Sequence, residues 1–136
     1  MSKIWAKDYE LDSLIEEFTV GNDYLLDLDL VEFDCLGSIA HAKMLSTIGI
    51  LTDDEYRLLE GELKNIISDV KKGDFKILPS DEDGHTAIEG RLTKNLGEVG
   101  KKIHTGRSRN DQVLTATRLF SKDFVKKSIS SGSNLV

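Results

Sequence analysis

Residues 52–73 constrain this chain more than any other segment. Thr52-Asp53-Asp54-Glu55 has the spacing of a capping box, in which Thr52 and Glu55 satisfy each other's free backbone donors. Tyr56, Leu59, Leu63, Ile66, Ile67 and Val70 then recur at helical spacing and form one apolar stripe. Lys71 and Lys72 suit the carbonyl end of the helix dipole, and Gly73 suits the left-handed residue that closes a helix. Other segments follow the same period. Leu11, Leu14, Ile15 and Phe18 predict a short helix over residues 8–18. Leu25, Leu28, Val31, Leu36, Ile39, Met44, Leu45 and Ile48 predict a longer one, closed by Gly49. Pro79 and Ser80 lead into a helix near residues 81–96, with Ile88, Leu92 and Leu96 as its stripe. A loop is expected over 97–106, and a last helix begins near Ser108. Residues 25–30 alternate, but Asp27 and Asp29 also fit the exposed face of a helix. With one proline in 136 residues, helix interiors are left unbroken. The expectation is an all-α chain of about five helices. Residues 128–134, rich in Ser and Gly, are expected to fray, which hints that the chain stops short of a domain end.

Composition excludes several classes. Apolar residues make up 39% and charged residues 31%, ordinary for a soluble globular protein. No apolar run approaches the roughly 20 residues of a membrane span. The start, Met1-Ser2-Lys3-Ile4-Trp5, lacks the apolar core of a signal peptide. The single Cys35 forms no internal disulfide and reads as a small buried residue. These features predict a cytoplasmic protein. His41, His85, His104 and Cys35 are scattered and make no ligand cluster, so no metal is expected; no cofactor is expected either. Charge is uneven: residues 1–100 hold 22 acidic against 10 basic side chains, and residues 101–136 hold 2 against 8. Such asymmetry fits an anion-binding region, or equally two faces of opposite sign that pack together.

The stretch His104-Thr105-Gly106-Arg107-Ser108-Arg109-Asn110-Asp111-Gln112 carries the chemistry. Gly106 permits a tight turn, Ser108 suits a helix N-cap, and Asp111 completes a variant of the capping box. Arg107 and Arg109 then flank a helix N-terminus, where free amides and the dipole already favour an anion. Arginine adds two-pronged carboxylate binding, and Lys101 and Lys102 extend the positive field. Asn110 and Gln112 offer amides that both donate and accept. On physics alone, an anion site and an ordinary capped helix with a solvated basic start both remain open.

These nine residues resemble the signature of the argininosuccinate lyases and of the delta-crystallins derived from them. Asp81-Glu82-Asp83-Gly84-His85-Thr86-Ala87-Ile88-Glu89 is similar to a second stretch of that family, and Leu96-Gly97-Glu98-Val99-Gly100-Lys101-Lys102-Ile103 to the connection between the two. Asp34-Cys35-Leu36-Gly37-Ser38 and Gly49-Ile50-Leu51-Thr52 also match, so the resemblance covers roughly residues 15–125. It implies the amino-terminal helical domain of the fumarase/aspartase-like fold over residues 1–107, and the beginning of a central long-helix bundle over 108–136. It further implies substrate binding by Asn110, with Arg109 beside it and Ser108 and Arg107 in the same strip. Asp83 and His85 would line the same cleft, His85 in an auxiliary role, and His41 and His104 have weaker claims.

The reaction implied is reversible elimination of argininosuccinate to arginine and fumarate, by a cytoplasmic homotetramer in arginine biosynthesis. A base removes the proton beside one carboxylate, and positive groups stabilise the resulting aci-carboxylate. An acid then assists departure of the guanidino nitrogen. The resemblance puts the catalytic serine on a Gly-Ser-Ser loop that this sequence lacks, together with a Thr-His pair, so the chain alone is expected to be inactive. It departs at its start too: Trp5 precedes Ala6-Lys7-Asp8 rather than Gly-Gly-Arg-Phe. The family's serine three residues after a Phe is Gly21 here, counted from Phe18. A non-catalytic binding or structural module of the delta-crystallin kind is the rival expectation. Nucleic-acid binding by the basic stretch is disfavoured, because its only aromatics are Phe120 and Phe124 and the whole chain is acidic.

Overall fold

Both reciprocal bonds of the capping box form: Glu55 N donates to Thr52 Oγ1 at 3.2 Å, and Thr52 N to Glu55 Oε2 at 3.0 Å. The computed structural model describes residues 22–81 and 83–133. Their helices are α1 (Asp23–Leu26), α2 (Leu28–Thr47), α3 (Asp53–Lys72), α4 (Gly84–Leu96), α5 (Glu98–Lys101) and α6 (Arg109–Ser133). Single 3-10 turns occupy Pro79–Asp81 and Lys102–His104, and no strand occurs among the described residues. The described residues are all-α, as expected. The helix expected over 8–18 lies outside the described residues.

The stripe of α3 is the one the spacing predicts. Leu59, Leu63 and Ile66 are buried, with Tyr56, Ile67 and Val70 at its margins. Gly73 ends the helix at φ 78°, a conformation that strains any residue with a Cβ. Against this stripe pack Val31, Cys35, Ala42 and Leu45 of α2 and Ile88 and Leu92 of α4. Arg91 of α4 adds a bridge to α3, through Glu62 at 2.9 Å and Asp69 at 2.7 Å.

Three expectations change. In α2 the face predicted from apolar spacing is only partly the buried one: Val31 and Leu45 are buried and Leu28 and Ile39 pack against the core, but Leu36, Met44 and Ile48 are exposed, whereas Asp34 and Ser38 are buried. Apolar residues surround this helix, so periodicity alone does not single out a face. The expected loop over 97–106 is largely the short helix α5 and a 3-10 turn. The expected fraying does not occur as far as Ser133, because α6 continues through it. Ser128 and Ser133 return their hydroxyls to the carbonyls of Phe124 and Ile129 at 2.9 and 3.0 Å, within the helix rather than out of it.

Helix α6 lies along α2. Phe120 meets Phe33 edge to face at a 5.6 Å centroid separation. Thr115 presses on Gly37, where a Cβ would stand 3.1 Å from its methyl carbon. Only the first half of α6 is seated in this way; Phe124, Val125 and Ile129 are exposed. The seating fixes where the strip around residues 107–112 meets the rest of the fold.

Candidate functional site

Helix α6 starts where Gly106, at φ 69°, turns the chain. Ser108 caps it: Asp111 N donates to Ser108 Oγ at 3.3 Å, and Ser108 N donates to Asp111 Oδ2 at 3.0 Å. The predicted box variant is therefore present. The Ser108 amide and hydroxyl hold the Asp111 carboxyl below its ordinary range. Ser108→Ala is expected to cost about 1 kcal/mol of stability through the lost cap, read from the shift of a melting curve.

The two arginines face different partners. Arg107 is half-buried, and its Nη1 donates to Ser38 Oγ on α2 at 3.1 Å. Burial lowers its pKa from the ordinary value, while the charges of Asp34 and Asp111 oppose the shift. Arg109 is exposed and reaches α4, with Nη1 3.0 Å from Asp83 Oδ2 and Nη2 donating to Thr86 Oγ1 at 2.9 Å. Asp83 is the N-cap of α4, accepting from Thr86 N at 2.9 Å, while Gly84 N donates to Asp27 Oδ2 at 2.8 Å. The N-terminus of α4 is thus already supplied with carboxylates. Asn110 sits in the first turn of α6, exposed, and no hydrogen bond to its side chain occurs among the described residues.

Lys101 and Lys102 do not extend a free positive field. They pair with Glu98 and Glu55, each at 2.5 Å. Only the Lys102 pair joins two separate helical segments; Lys101 and Glu98 pair locally within α5. His41 Nε2 donates to Thr105 O at 3.0 Å, and His104 lies against Glu89. Both contacts tie the segment before α6 to the helices beneath it.

Behind the strip lies a buried polar group. His85, 8% exposed, donates from Nδ1 to Asp34 Oδ2, and Asp34 is 3% exposed. Gln112 Nε2 donates to both Asp34 oxygens at 2.7 and 2.9 Å, and Ser38 Oγ donates to Oδ1 at 3.1 Å. Beside it, an open cavity of about 240 Å³ between α2 and α6 is lined by residues including Asp34, His41, Arg107, Asp111 and Gln112. Asn110 and Arg109 do not line that cavity. The structure therefore links Arg107 to His85 through Ser38 and Asp34, and Arg109 to Asp83, while Ser108 caps and Asn110 points to solvent. Asp34 and Ser38 were not singled out as site residues. Their signal was a carboxylate and a hydroxyl spaced with Val31, Cys35, Ala42 and Leu45 along one side of α2.

Burial disfavours a charged His85, but its hydrogen bond to Asp34 and the charges of Asp34, Asp83 and Asp27 outweigh it and raise its pKa. A raised histidine pKa means the folded state holds the proton more tightly. The stabilisation is complete below the ordinary histidine pKa and is lost as pH rises through the raised value. The melting temperature of the unaltered chain should therefore fall across that interval, and the fall should disappear in His85→Gln.

No group of three or more His, Cys, Asp or Glu side chains is placed to hold a metal among the described residues, and no helix there is long and apolar enough to cross a membrane. What the site offers is a capped helix start with a free amide, two arginines anchored by carboxylates, and a histidine held from behind. Comparison with known proteins identifies relatives of the chain. Argininosuccinate lyase of Thermotoga neapolitana is 53% identical over 125 residues, which are 92% of this chain and 31% of the relative. The enzyme of the same name from Phocaeicola vulgatus is 49% identical over 92% of this chain and 28% of its own length. That of Parabacteroides distasonis is 44% identical over 98% and 30%. The chain thus spans less than a third of the length of these curated relatives. The family model described as "Lyase" matches residues 6–134, nearly the whole chain, and the protein belongs to that lyase family.

Proposed function

We propose that this chain is the amino-terminal part of an argininosuccinate lyase, which eliminates fumarate from argininosuccinate and releases arginine, working in the cytoplasm as a homotetramer in arginine biosynthesis. Residues 1–107 form its amino-terminal helical domain, and residues 108–136 begin a central helical bundle completed by chain outside this sequence. The observation that carries the reading is the exposed Asn110 in the first turn of a helix whose cap is satisfied by Ser108 and Asp111. An amide placed there, without a structural duty, is available to a ligand.

The chemistry follows from that placement. The first turn of α6 presents backbone donors and the positive end of the dipole to a substrate carboxylate. Asn110 hydrogen-bonds the same group, and Arg109, Ser108 and Arg107 supply positive charge and shape around it. Asp83 orients Arg109, and His85, held by Asp34, supports the strip from behind. These groups favour the aci-carboxylate that forms when the proton leaves the carbon, the kind of electrostatic stabilisation that usually dominates such reactions. The base that takes the proton is assigned to the family's serine loop, which this sequence does not contain.

The test is fumarate release from argininosuccinate, followed by ultraviolet absorbance. The full-length protein carrying this segment is expected to be active and the 136-residue chain inactive. An inactive full-length tetramer would remove the reading, as would enzyme-like turnover by the short chain.

A further inference from the structure

Asp34 sits in the middle of the buried face of α2, among Val31, Cys35 and Ser38, where an apolar side chain would pack at lower cost. Its two oxygens accept from three side chains on three helices: Gln112 Nε2 of α6, Ser38 Oγ of α2 and His85 Nδ1 of α4. Ser38 Oγ in turn accepts from Arg107. One buried carboxylate thus gathers the first turn of α4, the residue before the cap of α6 and the first turn of α6. Gln112 follows Asn110 by two residues and is 3% exposed. Because a carboxylate only accepts, it also fixes the orientation of both partners. The Gln112 amide must turn its nitrogen inward, and the His85 ring must turn Nδ1–H inward, which leaves Nε2 on the other side.

We propose that Asp34 is the positioning residue of this site, clamping the turn that bears Arg109 and Asn110 through Gln112 and setting the orientation and charge of His85. What the clamp serves rests on the lyase reading; the clamp itself does not. The charged and titratable groups around His85 are Asp34 and Asp27 from the α2 side, Asp83 at the start of its own helix, and His104 from the turn after α5. Asp34 is the one in direct hydrogen-bond contact with the ring.

The experiment compares Asp34→Asn with the unaltered full-length protein by NMR titration of the His85 ring and by steady-state fumarate release. In the unaltered protein His85 should titrate above the ordinary histidine range, and in Asp34→Asn below it. The rate at low substrate should fall by about tenfold or more, the loss typical of removing a hydrogen bond to a charged group. Should Asp34→Asn not fold, Gln112→Met is read instead. It keeps the Asp34–His85 pair, so the His85 titration should stay raised while KM rises by about tenfold. A folded Asp34→Asn with unchanged His85 titration overturns the proposal, as does Gln112→Met with unchanged KM. If the unaltered protein releases no fumarate while His85 titrates as described and loses its shift in Asp34→Asn, the lyase reading fails and the clamp stands.

Discussion

Replacing Asn110 by alanine in the full-length protein is expected to leave its melting curve nearly unchanged and to lower fumarate release by roughly 10- to 150-fold. Stability should hold because the Asn110 side chain is exposed and supports nothing in the fold. The cap of α6 is made by Ser108 and Asp111, and the seat of its first turn by Gln112. Surface substitutions away from caps and cores usually move stability by within about 0.5 kcal/mol. Activity should fall because a hydrogen bond to a charged group typically contributes about 1.5–3 kcal/mol, which converts to that range of rate or affinity. Two measurements decide it, a thermal melt and a steady-state assay on the same preparation. An Asn110→Ala protein that unfolds, or one that keeps its full rate, would reduce the strip to an ordinary capped helix.

Gly100→Ala should have the largest effect on stability. A Cβ on Gly100 would lie 2.4 Å from Leu92 O, 2.5 Å from Leu92 C and 2.8 Å from Thr93 N. All three are backbone atoms inside α4, and Leu92 is fully buried in the core. No side-chain rotation relieves that overlap; α5 would have to move away from α4. Overpacking a core typically costs 1–3 kcal/mol and occasionally more, so a loss of about 3 kcal/mol is expected. For a domain of this size, that lowers the melting temperature by about 10 °C. Gly61→Ala is the matched control. It lies in α3 with nothing within 4 Å of the added carbon, so it should stabilise by about 0.5–1 kcal/mol through helix propensity alone. If the two variants melt alike, close packing at Gly100 is not what holds α5 on α4.

The sequence by itself determined those features whose causes are local. The capping box at Thr52 and Glu55, the stripe of α3, the left-handed Gly73, the turn at Gly106 and the cap at Ser108 each follow from residues within a few positions of one another. The strip from His104 to Gln112 was legible for the same reason, since cap, arginines and amide are contiguous. Tertiary structure decided which face of α2 is buried, because apolar residues surround that helix and only its neighbours select a side. It also decided where the charges go. Lys102 meets Glu55 from 47 residues away, Arg109 meets Asp83 across 26, and Asp34 collects Gln112 from 78 and His85 from 51. A carboxylate in a helix reads as solvent-facing until its partners are known. Burying it without them is prohibitive, and here the partners arrive from helices that no local pattern connects.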